Sequence, residues 1–200
     1  MNFKKNKTIS ILILLFGVLV LLLMLFFYVR NQETKKTSVS SVKVTKSKKL
    51  KKSHIYAWDK PSERSYPEIT NPDKLAVKVS IDKQRVYIKE KGKTIYTIVC
   101  STGDSSQGNA TPKGKFVIEP ERFKENYWPE YNDWAFNLVS FKGHGTYLFH
   151  SVLMLDKDTV EKEEAVKLGH EASHGCIRMP MPDSKWFYDN IPTGTPVEIY

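Results

Sequence analysis

Residues 9–29, ISILILLFGVLVLLLMLFFYV, are apolar apart from Ser10 and Gly17. A helix of that length rises about 30 Å, the thickness of the hydrocarbon layer of a bilayer. Long helices of soluble proteins keep a polar face, which this one would lack, so a membrane-spanning helix is expected. The run is longer than a secretory h-region and no small-x-small site follows it, which points to an uncleaved anchor. Lys4, Lys5 and Lys7 precede the run and Arg30, Lys35 and Lys36 follow it, so flanking charge does not set the orientation. The expected order is a short tail (1–8), an anchor (9–29), a basic flexible linker (30–53), an irregular lead-in (54–74) and one domain (75–200).

The net charge of +9 is unevenly spread. Residues 1–74 hold 15 Lys/Arg against 5 Asp/Glu, whereas residues 75–200 hold 16 against 17. The domain is therefore near neutral, which leaves no domain-wide basic face for nucleic acid. The run KSKKLKK, Lys46 to Lys52, reads either as a solvated spacer or as a contact for anionic lipid or another polyanion. Residues 54–74 contain Pro61, Pro67 and Pro72 and are expected to be irregular, with Tyr56, Trp58 and Tyr66 available to pack on the domain.

From Leu75 the pattern changes to short alternating runs. LAVKVSI, QRVYIK and KTIYTIVC are separated by DK and KG, the signature of an antiparallel meander. KFVIE, AFNLVSF, TYLFHSVL and TPVEIY predict further strands. Two short helices are expected: one over 159–168, with Asp158 and Glu161 at capping-box spacing and Gly169 as its stop, and one at PDSKWFYDN. The domain is thus mainly β, and at about 126 residues it needs no disulfide to bury a core.

Its chemistry-bearing stretch is EASHGC, residues 171–176. A cysteine acts as a nucleophile where a base takes its proton and donors face the developing oxyanion. Gly175, lacking a side chain, would let a substrate carbonyl approach the N–H groups beside Cys176. His174 lies two residues from Cys176, so on extended backbone the two side chains run parallel, which makes a poor acid–base pair. His150, on the expected strand YLFHSVL, is the other candidate; a strand histidine is either a satisfied core residue or a placed catalytic group. Cys100, ending IYTIVC, reads as a small buried residue, and a Cys100–Cys176 disulfide would silence the nucleophile. One upstream histidine with HGC supplies too few ligands for zinc, and no cofactor is expected.

SHGCIRM, the upstream LFHS, the STG of Ser101–Gly103, TPKGKF and the closing PTGTPVEIY together resemble the L,D-transpeptidase catalytic domain of the YkuD type, in that family's order over residues 75–200. The resemblance implies a mainly β, sandwich or barrel-like domain with two short helices, which here would follow the one transmembrane helix expected from residues 9–29. It also implies a peptidoglycan transpeptidase with Cys176 as nucleophile and His150 as base, the imidazole being oriented by Ser151 or by a backbone carbonyl. The N–H groups of His174, Gly175 and Cys176 would form the oxyanion hole, and Ser173 and His174 would shape the cleft. Arg178 would support the site or fix a loop through a salt bridge. The implied partners are peptidoglycan stem peptides, and the implied location is the bacterial cell membrane with the domain outside the cytoplasm and residues 1–8 inside.

Two features depart from the family's commonest pattern. His150 and Cys176 stand 26 positions apart, which places an insertion at 152–172, and His144 offers a second upstream histidine that reads as a turn residue between Gly143 and Gly145. The aromatic stretch RFKENYWPEYNDWAF is expected to be either a wall over the substrate, through Tyr127, Trp128 and Trp134, or a surface loop. A sortase-type transpeptidase, an L,D-carboxypeptidase and a non-catalytic wall-binding module remain the alternative readings.

Overall fold

The computed structural model describes Met24 and residues 55–200. Apart from Met24, the expected tail, anchor and linker lie outside the described residues. Among the described residues no helix is long and apolar enough to cross a membrane.

The alternation at Leu75 becomes β1 (Leu75–Ser80), with Leu75, Val77 and Val79 turned inward. It pairs antiparallel with β2 (Arg85–Glu90), which pairs antiparallel with β3 (Lys93–Val99), as the meander pattern requires. The KG turn between β2 and β3 has positive φ at both Lys91 and Gly92, the two-residue geometry whose twist suits a hairpin. The last strand, β9 (Pro196–Ile199), runs parallel to β1 and antiparallel to β4 (Gly114–Val117). The sheet order is therefore β3-β2-β1-β9-β4.

A second sheet, ordered β5-β6-β7-β8, comprises β5 (Arg122–Trp128), β6 (Asp133–Lys142), β7 (Tyr147–Ser151) and β8 (Ile177–Met179). One hydrophobic core draws on both sheets: Val79, Ile88 and Ile98 from the first meet Phe141, Phe149 and Ile177 from the second. Phe187, in the helix Met181–Asn190, stacks on Phe149 with ring centroids 4.7 Å apart and is wholly buried. Its truncation to Ala would cost about 3–5 kcal/mol.

Asp183, in the first turn of that helix, is also wholly buried. It accepts hydrogen bonds from Ser62 N–H (3.0 Å), Ser62 Oγ (2.5 Å), Tyr66 Oη (3.1 Å) and Tyr96 Oη (2.9 Å). A buried carboxyl is expensive without such donors, so this cluster ties the lead-in to the domain. Tyr56 and Trp58 pack as well, against a smaller apolar cluster of Val152, Met154, Val160, Ala165 and Leu168. That cluster is the contribution of the 152–172 insertion.

One expected helix is corrected, and two stretches without an assigned element turn out to be strands. The stretch RFKENYW is a strand, β5, paired residue by residue with β6, rather than a loop. The IRM of SHGCIRM is a strand, β8, which its three residues gave no pattern to announce. The helix expected over 159–168 shrinks to α1 (Lys162–Ala165), and the helix Met181–Asn190 is then α2. The capping box fails because Asp156 Oδ1 accepts the N–H groups of Asp158 and Thr159, while Val160 is drawn into a β-bridge with Met154.

Candidate active site

The site is built on the parallel seam between β7 and β8, where Phe149 stands opposite Ile177 and His150 opposite Arg178. Side chains alternate across a strand. With Phe149 and Ile177 in the core, Leu148, His150, Cys176 and Arg178 turn to the other face, where all four line one cavity of about 400 Å³. The chain order that set His150 and Cys176 26 residues apart is thus closed by strand pairing.

His150 is 3% exposed, and its Nδ1 stands 2.7 Å from the carbonyl oxygen of Ser151. A carbonyl only accepts, so Nδ1 carries the proton and Nε2 keeps its lone pair. Burial, and next the charge of Arg178, push the imidazole down to about 3, against the partial opposition of the Ser151 carbonyl bond. His150 is therefore a neutral base. The Ser151 hydroxyl does not orient the ring: it donates to Val152 O (2.7 Å) and accepts from Phe136 N–H (3.0 Å). Of the two orienting groups expected, the backbone carbonyl is the one in place.

Cys176 is a free thiol, partly open to the cleft. Its Sγ lies 3.8 Å from the Thr146 carbonyl oxygen. Burial raises its pKa, while the Leu148 N–H and the Arg178 charge pull it down. The resting pair is consequently a thiol and a neutral imidazole rather than a thiolate and an imidazolium. Cys100 is fully buried, its thiol pushed up by desolvation, and it too is free rather than bridged to Cys176.

The S-H-G-C turn is pinned by Ser173, whose Oγ donates to Cys176 O (2.5 Å) and accepts from Gly175 N–H (3.1 Å). The Gly175 N–H is thereby spent, which corrects its expected place in the oxyanion hole. The N–H groups of His174 and Cys176 have no acceptor among the described residues. Gly175 itself has φ +119°, and a Cβ there would come within 2.8 Å of the Tyr147 ring. The glycine is required by Tyr147 behind it, in addition to any need for room on the substrate side.

Arg178 is 6% exposed and binds Glu164 of α1 at 2.5 Å, while its Nε has no partner among the described residues. Of the two roles weighed for it, the loop-fixing salt bridge is present and ties down the insertion, and the side chain also lines the cavity. Beside it, burial and a hydrogen bond to Asp133 push the Glu161 carboxyl up. Asp133, like Glu130 and Tyr131, lines the cavity.

The family model for the YkuD L,D-transpeptidase catalytic domain matches residues 74–199. YciB of Bacillus subtilis (strain 168) is 46% identical over 167 residues, 83% of this chain and 84% of its own. The chain belongs to the YkuD L,D-transpeptidase family. A fused Zn-dependent amidase/peptidase and peptidoglycan-binding domain-containing protein from Clostridium acetobutylicum ATCC 824 shares 28% identity at a TM-score of 0.50, with 64% of this chain and 52% of that chain covered. This chain thus spans about half the length of that protein. An L,D-transpeptidase from Mycobacterium smegmatis, 17% identical with a TM-score of 0.51 and coverage of 64% and 58%, shares the fold.

Within this L,D-transpeptidase domain the remaining candidates divide by strand alternation. Tyr127 pairs with Trp134 and Trp128 with Asp133 across the β5–β6 hairpin. Trp128 and Asp133 turn to the cavity, with the Trp128 ring 5.9 Å from that of His150. Tyr127 and Trp134 turn away, their rings 5.0 Å apart, and Trp134 packs on the insertion's apolar cluster. Neither lines the cavity, which corrects their expected contact with substrate. Tyr131, which the sequence reading did not select, stacks on His174 with centroids 4.6 Å apart. His144 stands in the β6–β7 turn, Nδ1 2.9 Å from Glu121 Oε1 and outside the cavity lining.

Proposed function

We propose that the protein is a peptidoglycan L,D-transpeptidase in which Cys176 attacks the carbonyl carbon of the third residue of a stem tetrapeptide. The observation that carries this reading is the convergence of Cys176 and a neutral, Nδ1-protonated His150 on one face of the β7–β8 seam. As sulfur bonds to carbon, His150 Nε2 takes the thiol proton, and the N–H groups of Cys176 and His174 receive the oxyanion. The tetrahedral species collapses, the C–N bond breaks, and the leaving D-alanine amine takes the proton from His150. The thioester is then attacked by an acceptor amine, which gives its proton to His150, and the thiol is restored as the new amide forms. His150 alternates as base and acid: it is charged only while the tetrahedral oxyanion stands beside it, and it is neutral again in the thioester and in the resting enzyme, as its burial favours.

The stem peptide is the partner this reading assigns, and the 9–29 run would tether the domain to the bacterial membrane on its outer side, with 46–52 as spacer or polyanion contact. Incubating the full chain with a defined stem tetrapeptide and following intact mass should show a D-alanine-releasing acyl adduct on Cys176 and a cross-linked product. A carbapenem should acylate the same residue. A folded protein that forms neither adduct would sink the proposal.

A further inference from the structure

TPKG, residues 111–114, has no part in the reaction above, yet Thr111 is 2% exposed and lies directly behind the S-H-G-C turn. Its Oγ1 accepts the Gly103 N–H at 2.8 Å and stands 2.9 Å from the Gly175 carbonyl oxygen. An amide N–H can only donate and a carbonyl can only accept, so the hydroxyl proton is committed to Gly175. The two backbone segments are in close contact: a Cβ on Gly103 would lie 1.9 Å from Asn109 O and 2.8 Å from Gly175 Cα. Thr111 is the polar link across that contact.

The Gly175 carbonyl and the Cys176 N–H belong to one peptide unit, and in a planar trans peptide they point in opposite directions. A carbonyl held toward Thr111 therefore aims the Cys176 N–H away from the 103–111 loop. Ser173 fixes the other side of the turn, occupying the Gly175 N–H and the Cys176 carbonyl. We infer that Thr111 is a positioning residue for acyl transfer, its hydroxyl orienting the Gly175–Cys176 peptide so that the Cys176 N–H faces the cleft as an oxyanion donor. The inference rests on the acyl-transfer reading of the site. It gives the TPKG motif a task that a turn alone would not require, because a turn needs Pro112 and Gly114 but not a buried hydroxyl.

Two reactions of Cys176 separate this role from a merely structural one. Alkylation by iodoacetamide displaces iodide at a saturated carbon and develops no oxyanion, whereas acylation by a carbapenem passes through one. In the full chain, Thr111→Val should slow acylation by about 10²-fold, the scale of losing one oxyanion donor. Alkylation should stay within about twofold of native, and Thr111→Ser should return acylation to within about threefold, because its hydroxyl can make both bonds. Native-like acylation by a folded Thr111→Val protein would overturn the inference, as would a parallel fall in both rates. Should Thr111→Val fail to fold, Thr111→Cys serves instead: its weaker donor must acylate more slowly than Thr111→Ser, and equal rates overturn the role. A native protein that is alkylated but never acylated would remove the acyl-transfer reading itself, and the inference with it.

Discussion

The floor and the roof of the cleft are held by different forces. On the floor, polar groups are tied by directed bonds: His150 to the Ser151 carbonyl, Ser173 to the Gly175 N–H and the Cys176 carbonyl, Arg178 to Glu164. The roof, at the tip of the β5–β6 hairpin, rests on ring contacts, Trp128 against His150 and Tyr131 against His174, and Tyr131 is 53% exposed. Buried hydrogen bonds specify angle as well as distance, whereas ring pairs contribute about 0.5–1.5 kcal/mol and tolerate sliding. Under the proposed reaction, the reacting atoms would sit where geometry is fixed, and the surface facing the variable part of a substrate would sit where it can give.

The sharpest break of this comparison is between two histidines that each meet a roof ring, only one of which is tied to the floor by its own side-chain hydrogen bond. His150→Ala should lower kcat by about 10³-fold through loss of the base. His174→Ala, which removes a ring that stacks under Tyr131 but leaves the backbone N–H, should cost less than about tenfold. Steady-state turnover of a stem tetrapeptide measures both, and equal losses would erase the distinction. The buried imidazole also has a signature in stability. Its folded pKa, about 3, lies below the ordinary value of 6.5, so the unfolded chain binds a proton that the folded one refuses. The contribution is fully present above about pH 6.5 and is lost as pH falls toward 3. Urea unfolding of the native protein should therefore weaken across that window more than that of His150→Asn.

The next largest effect concerns what holds the floor. Glu164→Ala leaves the Arg178 guanidinium buried without its carboxylate and should cost about 3 kcal/mol in urea unfolding. Replacing both partners, Glu164→Ala with Arg178→Met, should recover part of that loss. If the single and double variants are equally unstable, the pair is not what ties the 152–172 insertion to the seam.

That insertion also marks where the sequence was readable and where it was not. β1, β2 and β3 were legible because one buried and one open face impose strict alternation on Leu75, Val77 and Val79 and on their partners. Cys176 and His150 were singled out by the resemblance of SHGC and HS to the family's motifs rather than by the residues alone, which left His174 open, and both line one cavity. β5 was not, since the run Arg122, Phe123, Lys124, Glu125 and Asn126 is largely exposed and its pairing comes from β6 rather than from its own apolar face. Asp158 and Glu161 have capping-box spacing, but no local pattern shows that Asp156 takes the N–H groups first. Thr111 and Ser173 act through backbone groups distant in the chain or hidden in a turn, and hydroxyls in such roles look like any loop polar residue until the fold brings their acceptors near.

The smallest effects should come from the roof, and their pattern matters more than their size. The pairing of Trp128 with Asp133 and of Tyr127 with Trp134 puts adjacent aromatics on opposite faces of one hairpin. Trp128→Ala should raise KM for the stem peptide by about five- to tenfold and Tyr131→Ala by about threefold, in line with one aromatic contact each, with kcat within about twofold. Tyr127→Ala, on the face turned from the cavity, should leave both constants unchanged. A KM increase from Tyr127→Ala equal to that from Trp128→Ala would mean that the hairpin twists when substrate binds, and the roof would then be selecting substrate by motion of the whole hairpin instead of by one face of it.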